Sequence, residues 1–214
     1  MTPQDLWQQI ICNQMPEGDI VVAMQKAVSD LEIFTQRPFS LTHMQIKLIP
    51  FTDLRTYVND PLFAAAIFLH MSNDLPGWAV FTLPEKRAVQ IVDWLLEKPT
   101  GTTYDLDPLA CSALAEMGNI MLASFLSQLS QFTGVSIRPS PPSVVVDKLA
   151  TILEIGAVSV SVITDELLVI EAIVENKAED VQIRTWILPD RFAFQYDQQE
   201  IQQYLSELID SHGE

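Results

Sequence analysis

The chain is predicted to be an α+β (α/β) protein made of two similar halves, each a helix followed by strands, which together form one β-sheet with two long helices packed on one face. Three observations predict it. A long helical pattern begins at Asp107, strand-length apolar runs punctuated by turn residues follow it, and the arrangement occurs twice. Gly18, Ile20 and Ala23 stand one hundred positions before Gly118, Ile120 and Ala123, and Phe34-Thr35 stands ninety-eight before Phe132-Thr133. Self-similarity at a fixed period marks duplication and implies a pseudo-twofold fold. The halves run over approximately 1–103 and 104–214 of a single domain spanning 1–214.

Taken in order, residues 5–34 hold helical patterns with a break at MPEGD (Met15 to Asp19). Leu41 to Pro50 alternates moderately, Ala64 to Met71 is continuously apolar, and SNDLPG then supplies turn chemistry before Trp78 to Leu83, which predicts a hairpin. Runs so uniformly apolar belong to a sheet covered by helices on at least one face. A helix follows from Pro84-Glu85 to Leu96, with Val89, Val92 and Leu96 inward, and PTGT from Pro99 ends it. After Pro142, Ser143 to Leu153 is ambiguous in period. Ala157 to Thr164, Leu167 to Val174 and Val181 to Leu188, separated by ITDELL and NKAED, read as a three-strand meander, and a last helix spans about Gln198 to Ile209.

The central helix carries the sharpest signals. Asp107 can accept the first free backbone amides, and Pro108 suits the first helical turn, where its missing N–H costs nothing. At 100° per residue Ala110, Leu114, Met117, Met121, Phe125 and Leu129 share the buried face, while Ser112, Glu116, Asn119, Ala123, Ser127 and Ser130 line the opposite one. Gly118 and Asn119 are poor mid-helix residues, glycine costing about 1 kcal/mol relative to alanine. Helix physics alone leaves two explanations open. Gly118 admits a closely packed neighbour and the polar pair is merely solvated, or the broken local rule marks a functional site.

Composition narrows the function. Twelve basic against twenty-eight acidic residues give a net charge of −16, which repels nucleic acid and anionic lipid. The start, MTPQDLWQQI, lacks a signal-peptide pattern, and no run approaches the roughly 20 apolar residues of a membrane span. A cytoplasmic protein without nucleic-acid partners or membrane insertion is expected. Cys12 and Cys111 lack metal or redox spacing, and His43, His70 and His212 are isolated, so neither a metal site nor a histidine triad is expected.

Ser112, three residues, Glu116, two residues, Asn119, twenty-two residues, Pro142: this spacing resembles the signature of the CheC, CheX and FliY phosphatases of chemotaxis. The flanking GNIMLASFLSQLSQFTG and SPP are similar to the second helix region of CheC, and the likeness in hydrophobic pattern extends over nearly the whole chain. The hundred-residue offset sets Cys12, Pro16 and Asp19 opposite Ser112, Glu116 and Asn119, so the first half departs from the motif that many CheC relatives carry twice.

The resemblance implies a phosphatase that hydrolyses the aspartyl phosphate of a CheY-like response regulator. Asn119 would position the attacking water, and Glu116 would pair with a basic residue of the regulator. Ser112, Ala123 and Ser127 would form the surface the regulator approaches, with Gly118 and Pro142 structural and Pro142 shaping a loop against the helix. The protein would need no cofactor of its own, magnesium belonging to the regulator. A non-catalytic adaptor for a CheD-like receptor deamidase is the alternative.

Overall fold

The computed structural model describes residues 17–53, 63–74, 76–152 and 166–189. The helical pattern before residue 15, Cys12, Pro16, the strand expected over Ala157 to Thr164 and the last helix lie outside them. Helix α1 covers Glu17–Thr35, followed by strand β1 (Ser40–Pro50), a short 3-10 turn, β2 (Phe63–Asn73), β3 (Gly77–Pro84) and α2 (Glu85–Leu95). Then come α3 (Pro108–Thr133), β4 (Ile137–Pro139), β5 (Ser143–Lys148), β6 (Glu166–Asn176) and β7 (Val181–Pro189).

All the described strands form one antiparallel sheet in the order β1-β6-β7-β3-β2, with β4 and β5 both on the outer side of β2. Exchanging β1 with β5, β2 with β6 and β3 with β7 reproduces this order read backwards. Each half thus lends its first strand to the other half's hairpin, and β3 and β7 meet at the centre. That is the expected pseudo-twofold arrangement.

The sheet buries both faces. Ala65, Ile67, Leu69, Phe81, Ile170, Ala172 and Ile187 pack beneath the helices, whereas Ala66, Phe68, Val80, Val169, Trp186 and Leu188 join Leu149 and Ile152 on the reverse side. Strands covered on both sides cannot alternate, which is why β2 reads as a continuous apolar run.

Several expectations are corrected. In α2 the buried residues are Ala88, Ile91, Val92, Asp93 and Trp94, while Val89 and Leu96 are only half-buried. The ambiguous stretch after Pro142 is strand β5 followed by helical residues 149–152. No meander of three consecutive strands can form around β6, because β1 and β7 occupy its two sides. Helix α3 is long and apolar enough, by length and composition, to cross a membrane. It is nonetheless packed on the sheet through Leu114, Met117, Met121, Phe125 and Leu129.

The repeat offset is also corrected, from one hundred to ninety-eight. The buried positions Ile20, Ala23, Met24, Ala27, Val28, Leu31 and Thr35 of α1 correspond, each ninety-eight residues on, to Gly118, Met121, Leu122, Phe125, Leu126, Leu129 and Thr133. Thr35 and Thr133 donate their hydroxyls to the carbonyls of Leu31 and Leu129, each at 2.8 Å. The next residue is left-handed in both halves, Gln36 at φ 54° and Gly134 at φ 72°.

Candidate functional site

Helix α3 is closed at both ends. The Asp107 carboxylate accepts the amide of Ala110 at 2.7 Å with Pro108 at the first position, and the amide of Gly134 donates to the Ser130 carbonyl at 2.8 Å. Capping satisfies backbone groups that would otherwise fray the ends. The middle is fixed by Gly118, where an added Cβ would stand 2.6 Å from Ile67 Cγ2. The absent side chain lets α3 settle on β2, so the first of the two explanations for this glycine holds. The polar pair beside it is a separate matter.

Ser112, Glu116, Ala123 and Ser127 are exposed along α3, and Asn119 and Ser130 are half-buried at the side of this stripe. From Ser112 to Ser127 it extends about 22 Å at 1.5 Å per residue. Glu116 is the sole charged residue between Pro108 and Thr133. Among the described residues no hydrogen bond or ion pair holds the side chain of Glu116 or Asn119. An amide and a carboxylate three residues apart on one fixed helix can therefore both turn outward to an incoming group.

Pro142 stands in an interruption of the sheet edge. β4 pairs with Met71 to Asn73 and β5 with Phe63 to Phe68, so the two are one edge strand broken by Ser140-Pro141-Pro142. The prolines have no N–H to give the ladder. Ser140 bridges the break, its amide donating to the His70 carbonyl at 2.7 Å and its hydroxyl accepting the His70 amide at 3.0 Å. Ile137 and Val144, on the two sides of the break, pack against the core that α3 covers. The segment is thus part of the sheet edge rather than a free loop.

Two acidic side chains that sequence reasoning passed over hold this architecture. Asp93, fully buried on α2, accepts the amides of Gly101, Thr102 and Thr103 at 2.7, 3.0 and 2.9 Å. Burial works against its ionisation, but hydrogen bonds from Thr103 and the amides of Gly101 and Thr102 prevail and hold it below the ordinary carboxylate range. It thereby anchors the turn that leads to Asp107. Asp30 ties α1 to α3, accepting the Ser124 hydroxyl at 2.6 Å beside an ion pair with Lys26. Its carboxyl is lowered by Lys26 and then Ser124. A carboxylate eight residues before a turn of small residues was the available signal for Asp93; the Asp30 partner, ninety-four residues away, left none.

With the offset at ninety-eight, Gly18 and Val21 stand opposite Glu116 and Asn119, in place of Pro16 and Asp19. The first half has neither the carboxylate nor the amide. Cys111 is a half-buried free thiol donating to the Leu106 carbonyl at 3.3 Å, and Met117 and Met121 are fully buried core. Among the described residues no group of three or more His, Cys, Asp and Glu is placed to hold a metal ion.

A duplicated antiparallel sheet under paired helices, with Ser112, Glu116, Asn119 and Pro142 at their spacing, is the combination in which this chain resembles CheC-like proteins. Residues 109–146, which contain the whole spacing, match the model of the CheC-like family. The chain is 29% identical to the CheY-P phosphatase CheC of Bacillus subtilis over 154 residues, covering 70% of this chain and 74% of that protein. Its fold is similar to that of Thermotoga maritima FliY, with a TM-score of 0.60 at 19% identity over 96% of each chain. It is also similar to the CheX-CheY-BeF3-Mg+2 complex from Borrelia burgdorferi, with a TM-score of 0.50 at 15% identity over 79% of this chain and 96% of that one. The resemblance to CheC, CheX and FliY read from the sequence is borne out.

Proposed function

We propose that the protein is a cytoplasmic phosphatase acting on the aspartyl phosphate of a CheY-like response regulator in chemotaxis signalling. The observation that carries this is the pairing of Glu116 and Asn119, free of partners among the described residues, on a helix fixed at its caps and at Gly118. The similarity to a CheY-P phosphatase supports it.

An aspartyl phosphate is a mixed anhydride, already activated, so hydrolysis depends mainly on positioning and charge stabilisation. Asn119 accepts a hydrogen bond from the water that attacks phosphorus in line, orienting it without a change in its own protonation. The phosphorus–oxygen bond to the regulator's aspartate breaks, the carboxylate leaves, and the water's proton departs with inorganic phosphate. Magnesium held in the regulator's site would neutralise phosphoryl charge, and this chain would need no cofactor of its own. Glu116 pairs with a basic residue beside the phosphoryl group and sets the angle of docking. Ser112, Ala123 and Ser127 keep the approach low.

The test is the decay of phosphorylated CheY-like regulators with wild type, Glu116→Ala and Asn119→Ala. Acceleration lost in both variants is expected. Wild type that leaves every regulator's decay unchanged would defeat the proposal. It would favour the second possibility, an adaptor for a CheD-like deamidase, which the loss of both polar residues at Gly18 and Val21 also suits.

A further inference from the structure

Large apolar side chains are exposed around the N-terminal half of α3. Leu109 is 57% exposed, Phe63 53% and Val146 37%. Register fixes their relation to the candidate site. Gly118 rests on Ile67, while Ser136, just past α3, donates its amide to Asp74, just past β2, so helix and strand run in the same direction. Phe63 precedes Ile67 by four residues and therefore shares its helix-facing side. Val146 pairs with Ala65, and Val144, two residues earlier, packs into the core under the helices, so Val146 faces the same way. On α3, Leu109 is seven residues before Glu116, about 20° from its line and about 10 Å along the axis.

We propose that Leu109, Phe63 and Val146 are the apolar part of the surface on which the phosphorylated response regulator docks. This rests on the phosphatase function proposed above and adds its recognition surface. Charge argues for that occupant. The chain carries twenty-eight acidic residues, yet α3 presents only Glu116. A partner whose reactive site is a phosphoryl group among carboxylates meets no further acid along the body of this helix once past Asp105 and the capping Asp107, apart from the one available to a basic residue. Size agrees: a stable interface of about 800 Å² per partner has a radius of about 16 Å. Leu109 lies about 15 Å from Asn119 along the helix, inside that footprint.

The experiment titrates the beryllofluoride-activated regulator with wild type, Leu109→Ser and Val146→Ser, beside the decay assay on the phosphorylated regulator. Leu109→Ser is expected to weaken Kd about tenfold, the loss of one apolar contact, and Val146→Ser less. Phosphate release at saturating protein stays unchanged and Leu109→Met restores affinity. Val22→Ser, on the exposed side of α1, leaves both readouts as they were. Unchanged melting temperatures certify the folds. Unaltered affinity in both serine variants overturns the docking surface, even where Asn119→Ala abolishes phosphate release. Weakened binding without acceleration by wild type upholds the surface and removes the phosphatase function. No binding of the activated regulator by wild type overturns both.

Discussion

Gly118→Ala sets two effects of opposite sign against each other. In an isolated helix the change is favourable by about 1 kcal/mol. Here the added methyl would lie 2.6 Å from Ile67 Cγ2, 3.3 Å from Ile67 Cβ and 3.4 Å from Phe81 Cδ2. Ordinary carbon contacts fall at about 3.5–4.0 Å, so about 1 Å has to be found. Ile67 cannot supply it. It is fully buried, β-branched and stiff at χ1, on a strand paired with β3 on one side and β5 on the other. Overpacking costs about 1–3 kcal/mol, and an overlap this deep belongs at the upper end, leaving a net loss of about 2 kcal/mol. For a domain of this size the melting temperature should fall by about 4–8 °C. Relief must come from lifting α3, which also lifts Asn119, so phosphate release measured well below the melt should slow as well. Ile67→Ala opens the space, and the double variant should lose less stability than the two single losses added together. Thermal denaturation of the four proteins decides. A Gly118→Ala protein at least as stable as wild type would refute the close approach.

Asn119→Ala should preserve the melting temperature while slowing regulator dephosphorylation at least about tenfold, because misplaced water forfeits more than about 1.4 kcal/mol of orientation. Asp93→Ala orphans three amides and should cost about 3 kcal/mol or more, read by urea denaturation. The Asp93 carboxyl is held below its unfolded value, so its stabilisation is complete above about pH 4 and disappears as pH falls through the folded value. Asp93→Asn should therefore show a shallower loss of stability below about pH 4, and an unchanged acid profile would count against that account. A double-mutant cycle between Asp30→Ala and Ser124→Ala should give a coupling of about 1 kcal/mol, whereas additive losses would deny the link between α1 and α3. Gly134→Ala, at φ 72°, should destabilise by about 1 kcal/mol despite alanine's helix preference.

What was legible in the sequence was what local chemistry determines. Asp107-Pro108 starts a helix by capping and by the geometry of proline, and a run of 26 residues repeats its burial pattern often enough to identify both faces of α3. The hairpin of β2 and β3 declared itself through apolar runs around a turn. Helix α2 was too short for such redundancy, with 11 residues. Its inward side is set by Asp93 reaching the 101–103 turn and by Trp94 in the core, neither of which periodicity records. Pairing of β1 with β6 is wholly non-local, so the sequence suggested a meander where the two halves actually exchange strands. The offset of one hundred followed coincident glycine, isoleucine and alanine letters. Burial and helix ends, not identities, reveal ninety-eight.

That offset gives a reason for the proposed site to stand on one helix and not on its counterpart. Both helices end in a buried threonine bonded to the carbonyl four residues back and then a left-handed residue, so the fold furnishes the same backbone platform twice. The side chains differ where they meet the sheet. Ile20 fills its position in α1 from the helix side, whereas Gly118 leaves the equivalent place to Ile67 of the strand. The close approach is confined to α3, and with it the constraint on the next residue. In α3 that residue is Asn119, an amide able to donate and accept. In α1 it is Val21, which can do neither, and Gly18 offers no counterpart to Glu116. A duplicated fold supplies position by symmetry, but chemistry has to be written residue by residue. For the function proposed above, it is written on α3.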